Sequence, residues 1–119
     1  MKTLLLVAHG SRRAASNKEV RALAVQLGEQ AKGRYDWVSC AFLELATPSI
    51  PEGIEACVQA GAEEVVVLPY FLSAGRHVAE DIPEAVALKQ REYPQLKIEI
   101  APYLGASEQM PSVLLSLLA

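Results

Sequence analysis

Val65-Val66-Val67-Leu68-Pro69-Tyr70-Phe71-Leu72-Ser73-Ala74-Gly75-Arg76-His77-Val78-Ala79-Glu80-Asp81 opens as an unbroken apolar run, turns at small residues and passes into helix-forming ones. A run without polar alternation is the pattern of a parallel strand covered on both faces, here delivering a loop and a helix start. His77 sits at that delivery point. The only other histidine, His9, follows the chain's other continuous run, Leu4-Leu5-Leu6-Val7-Ala8. If the two runs are neighbouring strands, both imidazoles open into one crevice, and the rest of the chain tests that placement.

Residues 3–8 show no polar alternation and read as a central strand, broken by Gly10 and Ser11. Over residues 16–31, Val20, Leu23, Ala24, Leu27 and Ala31 recur at helical steps, with Ser16 as the expected cap and Gly33 as the stop. Residues 36–43 mix polar and apolar positions, which suits an edge strand ending at Glu44. Thr47-Pro48-Ser49-Ile50-Pro51 supplies a cap and first-turn prolines for a helix whose core face is Ile50, Ile54, Cys57 and Val58, closed by Gly61. After the 64–71 strand, Val78, Ile82, Val86 and Tyr93 follow helical spacing, and Pro83 implies a kink or fresh start near Asp81. Residues 96–100 alternate strictly, as an edge strand does. A short helix over 108–118 presents Val113, Leu114, Leu117 and Leu118.

Four strand–helix units in alternation predict an α/β fold, a three-layer sandwich around a four-stranded parallel sheet of order 2-1-3-4, as one domain over residues 1–119. That order places its topological switch point between the first and third strands, where open parallel sheets bind ligands beyond their carboxyl ends. His9, His77 and, from the neighbouring second strand, Glu44 then share one rim.

A composition of 51% apolar and 21% charged residues over 119 positions is that of one globular domain. The net charge of −3 argues against a nucleic-acid or anionic-membrane surface. Cys40 and Cys57 have neither C-x-x-C nor zinc-ligand spacing and read as small buried hydrophobes, a usage that suits a reducing cytoplasm. The apolar run after Lys2 is too short for a signal peptide and meets His9-Gly10-Ser11-Arg12-Arg13 in place of a cleavage site. No segment approaches transmembrane length.

Two imidazoles and a carboxylate suit a divalent first-row metal with open positions, although each alone also fits an ordinary turn or surface residue. Asp81, four residues after His77, either accepts the second ring N–H of that histidine or caps the helix before Pro83. Arg12, Arg13 and Arg76 flank the histidines and would make the mouth attractive to polycarboxylates or phosphates, Arg13 fitting an incidental surface position better than the other two.

Ala8-His9-Gly10-Ser11-Arg12, Phe42-Leu43-Glu44-Leu45-Ala46-x-Pro48-Ser49-Ile50 and Leu68-Pro69-Tyr70-Phe71-Leu72-x-x-Gly75-x-His77-Val78-x-x-Asp81-Ile82-Pro83 together resemble the CbiX/SirB sirohydrochlorin chelatases, class II chelatases, in their short single-domain form. The resemblance covers nearly the whole chain and matches every motif position. It implies a chelatase-like α/β sandwich and nucleotide-independent insertion of Co²⁺ or Fe²⁺ into sirohydrochlorin, toward cobalamin or sirohaem. It also implies metal binding by His9, Glu44 and His77, and no cofactor beyond the substrate metal. On that basis His9 and His77 are the expected catalytic pair, one holding metal while the other takes a pyrrole proton, with the assignment between them open. Ser11, Arg12 and Arg76 are the expected substrate contacts, and Asp81 supports His77 from behind. A tetrapyrrole is nearly as wide as the crevice of so small a domain, so a homodimer is expected to supply a second wall, with the C-terminal helix as a candidate element.

Four rivals are weaker. Histidine phosphatases need an arginine directly before the histidine, where Ala8 stands. Flavodoxin-like and receiver domains need a phosphate loop or acidic residues after the first strand, and neither is there. A non-catalytic metal or tetrapyrrole carrier would carry the same binding residues and is separated only by turnover.

Overall fold

The computed structural model describes residues 1–119. In order it contains β1 (Lys2–Ala8), α1 (Ala14–Gln30), β2 (Trp37–Phe42), α2 (Ile50–Gln59), β3 (Glu64–Pro69), a π-helical turn (His77–Asp81), α3 (Ile82–Glu92), β4 (Lys97–Ile100), a 3₁₀ turn (Leu104–Ala106) and α4 (Met110–Leu115). The four strands are all parallel in the order β2-β1-β3-β4. This is the architecture and the strand order that the sequence pattern predicts.

The two continuous apolar runs are central because each strand built from them is paired on both edges. β1 aligns Leu6 with Cys40 of β2 and with Leu68 of β3, and residues 3–8 are all buried. Side chains alternate across a strand, so β1 needs cover on both faces. One face packs Leu5, Val7, Ala41, Val65 and Val67 against Ile50, Ile54 and Cys57 of α2 and Ile82 and Val86 of α3, forming the main core. On the other face, α1 packs on β2. β2 and β4 are the edges, and β4 is the less buried, with Ile100 exposed.

The helix boundaries refine three expectations. The cap of α1 is Arg13, without a side-chain bond, so Ser16 falls inside the helix. The Asn17 side chain, one turn in, is instead turned back onto the preceding loop. In α2, Ser49 forms a full capping box with Glu52, and Pro51 sits in the first turn. Asp81 occupies the cap position of α3 but makes no capping bond. Pro83 has no N–H for the turn before it, and the backbone there widens to a π turn, in which the Ile82 N–H reaches the His77 carbonyl.

α2 and α3 are also joined by a polar cluster. Lys89 Nζ, with its side chain 9% exposed, donates to Glu55 at 2.7 Å and to Glu92 at 2.9 Å, and the Tyr93 hydroxyl and Gln59 amide donate to Glu55 at 2.8 Å. Donation first from Lys89, then from Gln59 and Tyr93, holds the Glu55 carboxyl down from 4.5 to about 2. A carboxyl depressed in the folded state adds stability above its unfolded value, and that stability is lost as pH falls through the folded one. Thermal melts should therefore show a midpoint that drops between pH 4.5 and about 2, and Glu55→Gln should lower the neutral-pH midpoint while flattening that drop. An unchanged acid profile in the variant would remove the cluster from the acid response.

Candidate metal centre

The candidate side chains stand on loops leaving the carboxyl ends of three strands. His9 follows β1, Glu44 follows β2 and His77 follows β3, and the ladder brings the ends level, with Ala8 opposite Phe42 and Val7 opposite Pro69. The pairing continues past the strands: Leu43 N–H donates to the Ala8 carbonyl, Glu44 N–H to the His9 carbonyl and Tyr70 N–H to the Val7 carbonyl.

Gly10 makes this approach possible. Its φ is +96°, and a Cβ there would lie 1.8 Å from the Glu44 carbonyl oxygen. Any side chain would be strained and would push the two loops apart. On the far side of the same loop, the buried Asn17 accepts from the Ser11 N–H at 2.9 Å and donates to the Ser11 carbonyl at 2.7 Å. The loop carrying His9 is thus held by backbone bonds from β2 and by one side chain from α1.

His9 Nε2 lies 2.6 Å from Glu44 Oε2, and His77 Nδ1 lies 2.7 Å from Asp81 Oδ2. A carboxylate only accepts, so each bond assigns the proton to the ring nitrogen that makes it. For His77 that leaves Nε2 with a free lone pair. The two rings are 4.7 Å apart between centroids and tilted by 34°. One ligand atom each from His9, Glu44 and His77 fall within 4.8 Å of one another. Two ligands on an ion with bonds of about 2.0–2.2 Å can be at most about 4.4 Å apart, so small side-chain rotations close the set.

All three side chains are about half exposed. Behind them a cavity of about 310 Å³ is bounded by Glu44, His77 and Asp81 and walled by Ile50 and Pro51 of α2. A larger one, about 650 Å³, lies at the opposite end of the sheet beside Glu63, Tyr93 and Leu96 and contains no imidazole.

The structure therefore brings together His9, Glu44, His77 and Asp81 as the sequence spacing suggests, and it decides for Asp81 as a partner of His77 over a helix cap. Ser11, Arg12 and Arg76 are not in contact with this cluster by hydrogen bond or ion pair. The Ser11 hydroxyl accepts from the Arg13 N–H at 3.0 Å, Arg12 is exposed, and Arg76 pairs loosely with Glu80 at 3.6 Å. Sequence reasoning missed Asn17, whose signal was a polar residue three positions before Val20 on the buried stripe of α1.

A family model described as CbiX matches residues 3–119. The chain belongs to the CbiX family. It is 34% identical over 116 residues to the sirohydrochlorin ferrochelatase of Priestia megaterium, covering 96% of this chain and 42% of that protein. To the sirohydrochlorin cobaltochelatase of Methanococcus maripaludis it is 38% identical over 88 residues, 74% of this chain and 60% of the other. The fold superposes on the crystal structure of the sirohydrochlorin chelatase SirB of Bacillus subtilis subspecies spizizenii in complex with cobalt. That match has a TM-score of 0.87 and 32% identity over 98% of this chain and 49% of SirB. The chain spans less than two thirds of the length of these relatives.

The packing of Gly10 against Glu44 carries a direct consequence. Gly10→Ala should separate His9 from Glu44 and weaken Co²⁺ binding by about tenfold or more, as losses in the support of metal ligands do, measured by calorimetric titration. Unaltered Co²⁺ affinity in a folded Gly10→Ala variant would show that the close approach is not what sets the site.

Proposed function

We propose that this chain inserts a divalent metal, Co²⁺ or Fe²⁺, into sirohydrochlorin on the route to cobalamin or sirohaem, as a nucleotide-independent chelatase whose metal is substrate and whose working unit is the domain of residues 1–119. The observation that carries the reading is the convergence of His9, Glu44 and His77 within 4.8 Å at the carboxyl rim of the sheet. Family membership and the chelatases among the relatives supply the substrate class.

Chelation exchanges a metal ion for two pyrrole protons, so charge is conserved only if the site gives up the one and takes away the other. His9, Glu44 and His77 hold the ion, mixed nitrogen and oxygen donors being acceptable to first-row divalent metals. Asp81 fixes His77 with its proton on Nδ1 and its Nε2 lone pair toward the ion, an arrangement that orients ligating imidazoles generally. His9 differs in having its carboxylate partner inside the ligand set. As the ion passes to the macrocycle, the His9–Glu44 pair is left with a vacant hydrogen-bond position and receives a pyrrole proton, the imidazole serving as the base. The half-exposed rim lets the second proton reach water. Ser11, Arg12 and Arg76 flank the mouth and meet the peripheral carboxylates of the substrate, the Arg76–Glu80 contact being an exposed pair that is easily exchanged.

His9, Glu44 and His77 all lie on one rim of one sheet, so a single copy offers a macrocycle one wall. A second copy in a homodimer supplies the other wall. No helix is long and apolar enough to cross a membrane, and the unpaired Cys40 and Cys57 suit a cytoplasmic setting. The acidic body makes neither nucleic acid nor membrane a partner.

Anaerobic mixing with sirohydrochlorin and Co²⁺ or Fe²⁺, followed by absorbance, should show several equivalents metallated per chain. A yield that stops at one equivalent would instead identify a metal or tetrapyrrole carrier. His9→Ala and His77→Ala should each abolish insertion with the fold intact by circular dichroism, and wild-type rates in either variant would remove that histidine from the scheme. Asp81→Ala should cost about 10- to 100-fold in metal affinity, with Asp81→Asn, which still accepts through its carbonyl oxygen, recovering part of it. Equal affinity in all three proteins would reduce Asp81 to a surface carboxylate.

A further inference from the structure

We propose that Asn17 is a positioning residue for the substrate: by holding both backbone groups of Ser11 it sets where Arg12 presents its charge to a peripheral carboxylate of the macrocycle, without acting on the metal ligands. The inference rests on the function proposed above and deepens it on the anion-binding side of the same mouth.

The loop from His9 to Arg13 is tied down in two separate halves. Its first half belongs to the sheet. The Leu43 N–H donates to the Ala8 carbonyl at 3.0 Å and the Glu44 N–H to the His9 carbonyl at 3.1 Å, and Gly10 lies against the Glu44 carbonyl. Beyond Gly10, no hydrogen bond from residues 11–13 returns to a strand. Ser11 is held by the Asn17 amide alone, through its N–H at 2.9 Å and its carbonyl at 2.7 Å. The Arg13 N–H donates to the Ser11 hydroxyl at 3.0 Å, and the Arg13 carbonyl accepts from the Ser16 and Asn17 N–H groups at 3.1 and 3.4 Å. The second half is therefore fastened to the first turn of α1, and its link to the body of that helix is one side chain.

The chemistry of that link requires an amide. The Ser11 N–H only donates and its carbonyl only accepts, so the partner must offer an acceptor and a donor side by side, which also fixes the way the Asn17 amide faces. Aspartate lacks the donor, and alanine lacks both groups. Asn17 is 8% exposed, and asparagine is a poor former of helix interiors because its side chain competes for backbone partners. Here the backbone partner it takes is that of the loop.

Arg12 is the residue this arrangement leaves free. It stands between two fastened neighbours, is exposed, and forms neither a hydrogen bond nor an ion pair within the chain, whereas Arg21 donates to the Thr47 carbonyl and Arg76 lies beside Glu80. A guanidinium grips a carboxylate through two parallel N–H bonds, a geometry that depends on where its backbone is held. The carboxylates at the edge of the macrocycle do not change as metal enters its centre. A contact to them is equally strong before and during insertion, so its loss appears in KM rather than in kcat.

Steady-state insertion kinetics with sirohydrochlorin and Co²⁺, alongside calorimetric titration of Co²⁺ alone, test this. Asn17→Ala should raise KM for sirohydrochlorin by about tenfold and leave kcat within about twofold, as the loss of a substrate-positioning group does. Its affinity for Co²⁺ should match the parent's. Arg12→Ala should raise KM by a similar factor, and adding Asn17→Ala to it should raise KM no further, because one residue acts through the other. Asn17→Asp keeps the shape and the acceptor without the donor; it should raise KM in the same direction and serves in place of Asn17→Ala if that variant melts early. A merely structural Asn17 would lower the melting midpoint and leave KM at the parent's value, which would overturn the assignment. So would a parental KM in Arg12→Ala, weakened Co²⁺ binding in an Asn17 variant, or additive KM effects in the double variant. A parent that inserts no metal would overturn the proposed function and this inference together, whereas normal turnover by the parent beside any of those results tells against Asn17 alone.

Discussion

The site depends on the double pairing of β1. Because that strand is hydrogen-bonded to β2 on one side and β3 on the other, three chain segments far apart in sequence leave the sheet at one level. A one-residue slip of either neighbour would turn its side chains to the opposite face and move its loop. The slip is opposed by burial: Leu5, Val7, Val65, Val67 and Ala41 lie at 0% exposure on one face, and exposing any large member of that set costs about 1.5–3 kcal/mol. The register that places His9 beside Glu44 and His77 is therefore enforced by the hydrophobic core, well away from the polar groups that benefit from it.

That division of labour lets the rim be built from half-exposed side chains. A ligand set buried in the core would have to satisfy every polar atom within the protein and would hold its ion tightly. Here the backbone is rigid up to Ala8, Phe42 and Pro69, and only the last step to each ligand lies in a loop. Gly10, Asn17 and the π turn carry that rigidity a few residues further. Each imidazole leans on one carboxylate, but the two carboxylates are placed differently: Glu44 within the ligand cluster and Asp81 behind it. Two chemically identical residues thereby acquire different surroundings.

Much of this was legible in the sequence because its strongest signals were physical extremes. Runs without a polar residue, as at residues 4–8 and 65–68, have few alternatives to central parallel strands, and edge strands betray themselves by mixed or alternating residues. The strand order followed, and with it the meeting of His9, Glu44 and His77. Spacing could not choose between a capping and a histidine-binding Asp81, since both use the same residue at the same distance. The choice is made by the contact itself: the Asp81 carboxylate lies 2.7 Å from His77 Nδ1 and makes no capping bond. The role of Asn17 was hidden because it acts on the backbone of Ser11, and backbone partners have no sequence signature. The expected cap at Ser16 failed for the related reason that helix starts are set by how the preceding loop is tied down. The unburied state of α4 was also beyond periodicity, which marks an apolar face without saying what covers it.

The one-sidedness of the site follows from the fold and constrains its chemistry. Every candidate ligand arrives from the carboxyl edge of one sheet, so an ion held by His9, Glu44 and His77 would be enclosed on the protein side and open on the other. Such an ion can be passed on without the protein unfolding around it, because incoming donors approach from the open side while the outgoing bonds loosen behind. A site of the closed four-ligand kind would have to lose a ligand before any exchange could begin. On the proposed reading, incomplete coordination is what allows transfer, and the missing donors are the nitrogens of the substrate itself. A flat macrocycle approaching that open side would touch one sheet edge and leave its far face in water, so the same geometry that frees the ion also leaves the crevice in want of a second wall.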